Sequence, residues 1–141
     1  MLKLSDNHPH KNGRTCSKCN VFKLADQYTL SRNKRSLGGI HMRADCKVCT
    51  EHRKYKAFIK RTYGITYDEY VKLHESQNGK CAICESEISS SRSTKLFIDH
   101  DHATGVVRGL LCSKCNHGLG LFNDDERLLL NAIKYLKSGK N

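Results

Sequence analysis

Eight cysteines carry the clearest chemical signal in this sequence, because they are spaced as metal ligands. They form four C-x-x-C pairs with no cysteine left over, and the pairs begin 30 residues apart in the first half of the chain and 31 apart in the second. Zinc prefers a tetrahedron of thiolates, which two C-x-x-C turns supply. The sequence therefore predicts two structural Zn²⁺ sites, one on Cys16, Cys19, Cys46 and Cys49 and one on Cys81, Cys84, Cys112 and Cys115.

Disulfide bonds and a thioredoxin-like redox pair are the alternatives to zinc. The N-terminal segment is polar, without the apolar stretch of a secretory signal, and no part of the chain reaches the ~18 apolar residues that a membrane span needs. We therefore expect a cytoplasmic chain without a membrane partner, in a compartment where thiols stay reduced. A redox pair would need one C-x-x-C at a helix start in a βαβ context, rather than four in register.

A second group of polar residues could hold a catalytic metal. Asp99, His100, Asp101 and His102 stand at the end of a predicted strand, and Asn116 directly follows the last cysteine. A helix that begins near Asn116 can bring its amide oxygen close to the carboxylate of Asp99, and such hard oxygen ligands suit Mg²⁺ or Mn²⁺. An ion with few protein ligands keeps positions open for phosphate oxygens. His100 could then take a proton from water, since histidine ordinarily titrates near pH ~6.5. These groups suit metal-assisted phosphodiester hydrolysis; the alternative is plain polar surface with Asn116 as a helix cap.

The charge of the chain is distributed unevenly. The formal net charge is +11, and residues 1–63 hold 15 basic and four acidic side chains, whereas residues 64–141 hold ten of each. Two zinc tetrathiolate centres would each add a net charge of about −2, leaving roughly +9 and −2 on the two parts. A one-sided basic excess favours a nucleic-acid partner, because each neutralised phosphate releases counterions. The alternative is a solvated face that keeps the protein soluble.

The segment between the two zinc units has the composition of a basic helix. Residues 50–63 contain neither proline nor glycine, and Gly64 would end the helix. Helical spacing places Arg53, Lys56 and Lys60 on one face and Tyr55, Phe58, Ile59 and Thr62 on another. We interpret it as a connector that also lies along phosphates; a simple connector is the alternative.

The second half of the sequence predicts helices around a hairpin. Thr66 and Glu69 have the spacing of a capping box, and Asn78-Gly79 would end that helix. A polar loop over 88–94 leads to strands over 95–100 and 106–111, which are joined by a turn at 103–105. A short helix over 116–122 follows. A last amphipathic helix, capped by one of residues 123–125, would bury Leu128, Leu129, Ala132, Ile133 and Leu136.

Three runs of the sequence resemble the bacteriophage recombination endonuclease VII family. They are GKCAIC over 79–84, IDHDHATGVVRGLLC over 98–112 and SKCNHGLG over 113–120. The resemblance extends over about residues 63–137. It implies the α+β fold of a small zinc-stabilised ββα-metal (HNH, His-Me finger) nuclease module, here preceded by a four-cysteine zinc-knuckle unit and a basic linker helix.

The resemblance also implies roles for individual residues. Asp99 and Asn116 would bind one catalytic Mg²⁺ or Mn²⁺, His100 would be the general base, and His102 would assist near the phosphate. Leu119 stands where some members place a further carboxylate. Arg108 is interpreted either as a phosphate contact or as an ion-pair partner of Asp101.

The N-terminal zinc unit is expected to be inactive. It has no Asp-His pair between its C-x-x-C elements, and Thr50 stands where the second unit has Asn116. Its expected role is to position basic side chains against DNA, namely Lys18, Lys23, Arg32, Lys34, Arg35, Arg43 and Lys47.

These observations predict three parts: a zinc unit over 1–49, a linker helix over 50–63 and a catalytic domain over 64–141. The predicted function is a phage-encoded, divalent-metal-dependent endonuclease that acts on double-stranded DNA in the host cytoplasm, as a monomer or a homodimer. The alternative is a non-catalytic zinc-dependent DNA-binding or regulatory module with a degenerate nuclease fold.

Overall fold

The computed structural model describes residues 2–32, 39–87 and 95–139. They belong to two compact units, Met1–Phe58 and Ile59–Asn141. Two sequence predictions, the basic residues Lys34 and Arg35 and the loop over 88–94, lie outside the described residues. Among the helices described, none combines the length and apolar character needed to cross a bilayer.

The first unit contains two antiparallel hairpins followed by a helix. Strands β1 (Arg14–Thr15) and β2 (Phe22–Lys23) pair with each other, as do β3 (Tyr28–Arg32) and β4 (Ile40–Cys46). Tyr28 and Met42 are buried together with Cys16 and Cys46, so the core of this unit is built directly on two of its cysteines. The Tyr28 hydroxyl donates a hydrogen bond to the backbone oxygen of Arg14 at 2.8 Å, which satisfies its polar end.

Helix α1 (Lys47–Tyr63) begins three residues before the predicted linker helix. The reason is that the C-x-x-C pair Cys46–Cys49 leads straight from β4 into its first turn. Arg53, expected on a face directed at phosphates, forms an ion pair with Asp45 at 3.2 Å. Lys60 donates to the backbone oxygen of Gly64 at 3.0 Å, where the chain takes a left-handed φ of 72° and the helix ends.

Helix α2 (Tyr67–Ser76) lies in the second unit and confirms the predicted capping box. The backbone N–H of Glu69 donates to the Thr66 hydroxyl at 3.2 Å, and the Glu69 carboxylate accepts from the Thr66 N–H at 2.6 Å. Asn78 and Gly79 both have left-handed φ values, of 51° and 68°, and turn the chain out of the helix. The Gly79 N–H closes this end on the backbone oxygen of His74 at 2.9 Å.

A ββα unit follows, as predicted. Strands β5 (Phe97–His100) and β6 (Val107–Leu111) pair in antiparallel fashion, and α3 (Ser113–Leu121) packs against both. Cys112 is the N-cap of α3, so the helix begins three residues earlier than predicted. The core of this unit lies on the hairpin and its flanks, where the buried aliphatic side chains are Ile59, Leu96, Ile98, Leu110 and Leu111.

The last helix, α4 (Glu126–Ser138), confirms the predicted cap but not the predicted burial. The Asp125 carboxylate accepts hydrogen bonds from the N–H groups of Arg127 and Leu128 at 2.8 and 3.2 Å. Leu128 and Leu129 are half-buried, whereas Ile133 and Leu136 are 48% and 70% exposed, so their expected burial was wrong. The described chain covers the apolar face of α4 only near its start.

Candidate active site

The two cysteine quartets have the geometry of tetrahedral metal sites. The four sulfur atoms of each quartet lie within 4.8 Å of one another. In the second quartet, the Sγ atoms of Cys84 and Cys112 are 3.7 Å apart. Zn–S bonds of ~2.3 Å in a tetrahedron would separate two sulfurs by ~3.8 Å. Both quartets could therefore hold zinc, and in the part of the chain that the structure describes they are the only such groups of three or more His, Cys, Asp or Glu residues.

Both quartets are built on the same knuckle, which confirms that the cysteine spacing reflects a structural repeat. In the first knuckle, Cys16 N–H donates to Val21 O and Asn20 N–H to Cys16 O, both at 3.0 Å. Asn20 has a left-handed φ of 55°, which folds the chain back over the sulfur. The second knuckle repeats both hydrogen bonds and the φ of 55° at the equivalent positions, Cys81, Glu85 and Ser86.

The thiols of each quartet share protons unevenly. Hydrogen bonds from backbone N–H groups, chiefly that of Cys46, lower the pKa of Cys16 to about 6. The Ser86 hydroxyl, 2.9 Å from the sulfur of Cys84, is the main cause of the lowering of the Cys84 pKa to about 6. The hydrogen bond with Cys46 raises the pKa of Cys49 to about 12. In such a quartet a thiolate accepts hydrogen bonds from neighbouring thiols. A zinc ion that binds the four sulfurs takes the place of these hydrogen bonds, and the thiols release their protons.

A β-bulge places Arg108 beside Asp99. Asp99 is paired with Gly109, but His100 is paired with Val107, so Arg108 is an extra residue in β6. A regular ladder would put Arg108 opposite His100; a bulge re-aims the side chain instead. The guanidinium donates from Nε to Asp99 Oδ2 at 2.7 Å and from Nη2 to Asp99 Oδ1 at 3.1 Å. This bidentate contact with the buried Asp99 carboxylate is the main reason why the pKa of Arg108 is raised.

Arg108 also contacts Asp124, which the sequence analysis considered only as a candidate helix cap. Its Nη2 donates to Asp124 Oδ2 at 3.1 Å, so one guanidinium holds two carboxylates that are 25 positions apart in the sequence. Asp124 also lies 3.9 Å from Nε2 of His102. The expected alternative, an ion pair between Arg108 and Asp101, was wrong in its partner.

Asp101 instead fixes the turn between β5 and β6. Its Oδ1 accepts hydrogen bonds from the N–H groups of Ala103 and Thr104 at 2.9 and 2.7 Å and from the Thr104 hydroxyl at 3.0 Å. These bonds, with that of the Thr104 backbone as the largest, hold the pKa of Asp101 below its usual value. The Asp101 carboxylate therefore stabilises the turn. This turn fixes the backbone of His100 and His102, the residues before and after Asp101 in the sequence.

His100 and His102 lie side by side at the turn end of the hairpin. Their ring centroids are 4.8 Å apart, and Tyr63 packs edge-on against His100 with centroids at 5.3 Å. His100 is half-buried, whereas His102 is exposed. The Tyr63 contact restricts how the His100 ring can turn, and a restricted imidazole open on one side suits a group that exchanges a proton with a bound water.

Asn116 lies in the first half of α3, the helix that packs against both strands of the hairpin. Its side chain is half-buried, and its backbone N–H donates to Cys112 O at 3.0 Å. Leu119, one turn later, shares with Asp99, Arg108 and Asp124 the wall of a cavity of about 290 Å³. The structure thus brings Asp99 and Asp124 into direct contact with Arg108. Asn116 is related to them through the packing of its helix against the hairpin.

Gln77, at the end of α2, was missed by the sequence analysis although it anchors the hairpin. Its Nε2 donates to the backbone oxygens of Lys80 and Leu110, and its Oε1 accepts from Leu110 N–H. A glutamine at a helix end carries no sequence signal for such a role, because its partner lies 33 residues away. This side chain fixes α2 to β6, the strand that carries Arg108.

Residues 56–138 match the family model described as recombination endonuclease VII. The chain belongs to the recombination endonuclease VII family. This matched segment contains the second cysteine quartet and all the residues at the Asp99 site. The predicted family is thereby confirmed.

Phage proteins are similar to this chain over about two thirds of its length. The chain is 42% identical over 101 residues to the Gene 59 protein of Mycobacterium phage D29 and 40% identical over 100 residues to that of Mycobacterium phage L5. Each alignment covers 64% of this chain and 60% of the relative. The chain thus spans less than two thirds of the length of either relative. The crystal structure of the beta-beta-alpha-Me type II restriction endonuclease Hpy99I is similar with a TM-score of 0.41 and 27% identity, over 92% of this chain and 67% of that one.

Proposed function

We propose that this chain is a divalent-metal-dependent DNA endonuclease of the HNH type, which hydrolyses phosphodiester bonds of double-stranded DNA. The observation that carries the proposal is the position of Asp99 and His100 at the bulged end of β5, inside the segment that matches the family. The phage relatives support a phage-encoded enzyme that acts in the cytoplasm of an infected cell.

His100 is proposed as the general base. Its ring is held by Tyr63 and is only half-buried, so it can accept a proton from a water molecule placed at the turn end of the hairpin. Exposed His102, 3.9 Å from Asp124, is proposed to assist near the phosphate as a hydrogen-bond donor.

Asp99 and Asn116 are proposed as ligands of the catalytic cation. A carboxylate and an amide oxygen form a hard donor set that suits Mg²⁺ or Mn²⁺. The carboxylate of Asp99 has about four acceptor positions, of which Arg108 uses two, so the donor set fits such a cation. When bound, the ion would stabilise charge that develops on the phosphate and the leaving oxygen.

The first unit is proposed to hold the DNA rather than to cut it. Its quartet could bind zinc, but Thr50 is buried at the position where the second unit has Asn116. Lys18, Arg32 and Arg43 are exposed and carry part of the basic excess of residues 1–63. In this division residues 1–49 form the DNA-positioning unit, 50–63 the linker helix and 64–141 the catalytic domain.

One observation favours the alternative of a non-catalytic DNA-binding or regulatory module. Both oxygens of Asp99 accept hydrogen bonds from Arg108, so a cation has to compete with a guanidinium for its proposed ligand. The two functions differ in whether wild-type protein cleaves DNA at all.

The test is nicking of supercoiled plasmid with Mg²⁺ or Mn²⁺, together with a DNA-binding measurement. We expect nicking by wild-type protein, its loss in His100→Ala with binding retained, and wild-type behaviour in His117→Ala, an exposed histidine on α3. Binding without wild-type cleavage across several divalent ions would overturn the proposal in favour of the non-catalytic module.

A further inference from the structure

Arg108 joins two carboxylates that belong to different elements. It binds both oxygens of Asp99 on β5 and, through Nη2, one oxygen of Asp124 between α3 and α4. The Asp99 side chain is 11% exposed and that of Asp124 is 21% exposed, so both are largely withdrawn from solvent. One guanidinium facing two carboxylates leaves one negative charge uncompensated, which favours an additional cation.

Arg108 and Asp124 also stand between two cavities. Both residues line the cavity of about 290 Å³ that contains Asp99, and both line a second cavity of about 530 Å³ that contains His102. The guanidinium therefore has space on either side of its present position. Because Nη2 already contacts Asp124, rotation of the Arg108 side chain could release Asp99 while keeping one ion pair.

A cation at Asp99 would compete directly with Arg108. The guanidinium and a divalent ion both bind the oxygens of this one carboxylate, and their positive charges repel each other at that distance. Asp124 offers the displaced guanidinium a second acceptor, which lowers the cost of leaving Asp99. Without Asp124, displacement would leave a partly buried guanidinium without an ionic partner.

We propose that Arg108 is a cation-responsive positioning residue, which occupies Asp99 in the cation-free site and moves onto Asp124 when a divalent cation binds Asp99. On Asp124 the guanidinium presents its remaining N–H donors to the cavity that His102 lines, where they match the geometry of a phosphate group. This inference rests on the proposed function only in assigning the cation to Asp99.

Calorimetric titration of the zinc-loaded full chain with Mn²⁺ tests the competition. We expect Mn²⁺ to bind roughly tenfold more tightly to Arg108→Gln than to wild-type protein, since a charge-assisted bidentate contact no longer has to be broken. Arg108→Lys, which keeps the charge but not the fork, should fall between them. Asp124→Asn should bind roughly threefold more weakly, and this effect should vanish in the Arg108→Gln background.

The control is Arg127→Gln, which removes an exposed ion pair with Asp125 at 3.6 Å and should leave Mn²⁺ affinity unchanged. Asp99→Asn should abolish the binding. Unchanged or weaker binding by Arg108→Gln, or no Mn²⁺ binding in any of these proteins, would overturn the inference. A wild-type protein that binds Mn²⁺ with this pattern but does not nick DNA would contradict the proposed function alone.

A second readout follows the guanidinium itself. The Nε–H of Arg108, which is hydrogen-bonded to Asp99, should give an NMR signal that is absent from Arg108→Lys and moves when Mg²⁺ is added. The same signal should not move in Asp99→Asn. A signal that ignores saturating Mg²⁺ in the wild-type protein would mean that Arg108 only supports the hairpin.

Discussion

Gln77 pairs with the backbone of Leu110 as a neighbouring strand would. Its Nε2 donates to Leu110 O at 2.9 Å, and Leu110 N–H donates to its Oε1 at 2.8 Å. The same Nε2 donates to Lys80 O at 2.8 Å. One side chain therefore makes two hydrogen bonds to the outer side of β6 and a third to the segment after α2. In the described part of the chain, β6 is paired with β5 alone in its sheet.

Substitution of Gln77 should destabilise the second unit. Gln77→Glu keeps the shape but loses both donors, so that a carboxylate faces two carbonyl oxygens; we expect a loss of about 1–3 kcal/mol in the free energy of unfolding, measured with urea. Ser76→Ala removes an exposed hydrogen bond one residue earlier and should cost less than about 0.5 kcal/mol. Equal effects of the two substitutions would contradict the anchoring role.

Metal analysis should find two zinc ions per chain, since each quartet has the geometry of a complete site. Cys16→Ser and Cys81→Ser should each lower the content to about one, because loss of one thiolate opens the shell. Wild-type protein with a single zinc would contradict one of the two assignments, and the two serine variants would show which.

The capping box should give α2 a pH dependence. Hydrogen bonds from Thr66, with that of its backbone N–H as the largest, lower the pKa of Glu69, so the folded value lies below the unfolded one. The stabilisation is therefore present above pH ~4.3 and lost as the pH falls through the lowered value. Circular dichroism of a peptide of residues 64–79 should show that its helicity falls as the pH drops through this range. At the lowest pH it should approach the helicity of the same peptide with Glu69→Gln. Parallel curves for the two peptides would exclude this role.

Salt dependence of DNA binding tests the role of the first unit. Replacing Lys18, Arg32 and Arg43 by glutamine should reduce the slope of log affinity against log salt by up to about 2.7, since each phosphate contact contributes about 0.9. The matched replacement of Lys72, Lys134 and Lys137 in the second unit should leave the slope unchanged. A slope that responds to the second set and not to the first would place the DNA contact on the other unit.

The features that the sequence predicted correctly depend on residues close together in the chain. The Thr66 capping box spans three residues, and each knuckle is closed by bonds within five residues of its first cysteine. The hairpin was found because its turn residues separate two apolar runs. In each case the local geometry and the residue types specify the same structure.

The features that the sequence did not reveal depend on distant partners. Regular pairing from Asp99 would place Arg108 opposite His100, and only the bulge directs it to Asp99 and Asp124. The apolar spacing of α4 predicted a buried face, but this face is half-buried in the first turns and exposed further on. Periodicity cannot say whether a partner covers an apolar face. Strands β1 and β2 of the first unit have two residues each, which is too few to show an alternating pattern.

Because of the extra residue in β6, the alignment of the two strands does not depend on the length of the β5–β6 turn. Residues inserted near Gly105, at the tip of the turn, should be tolerated, because Gly109 to Leu111 remain matched to Phe97 to Asp99. Deletion of Val107 would instead restore a continuous ladder, with Arg108 opposite His100 and directed to the face away from Asp99. Homologous chains should therefore vary in the number of residues at the tip of the turn. The number of residues between the bulge at Arg108 and the third cysteine, Cys112, should stay constant.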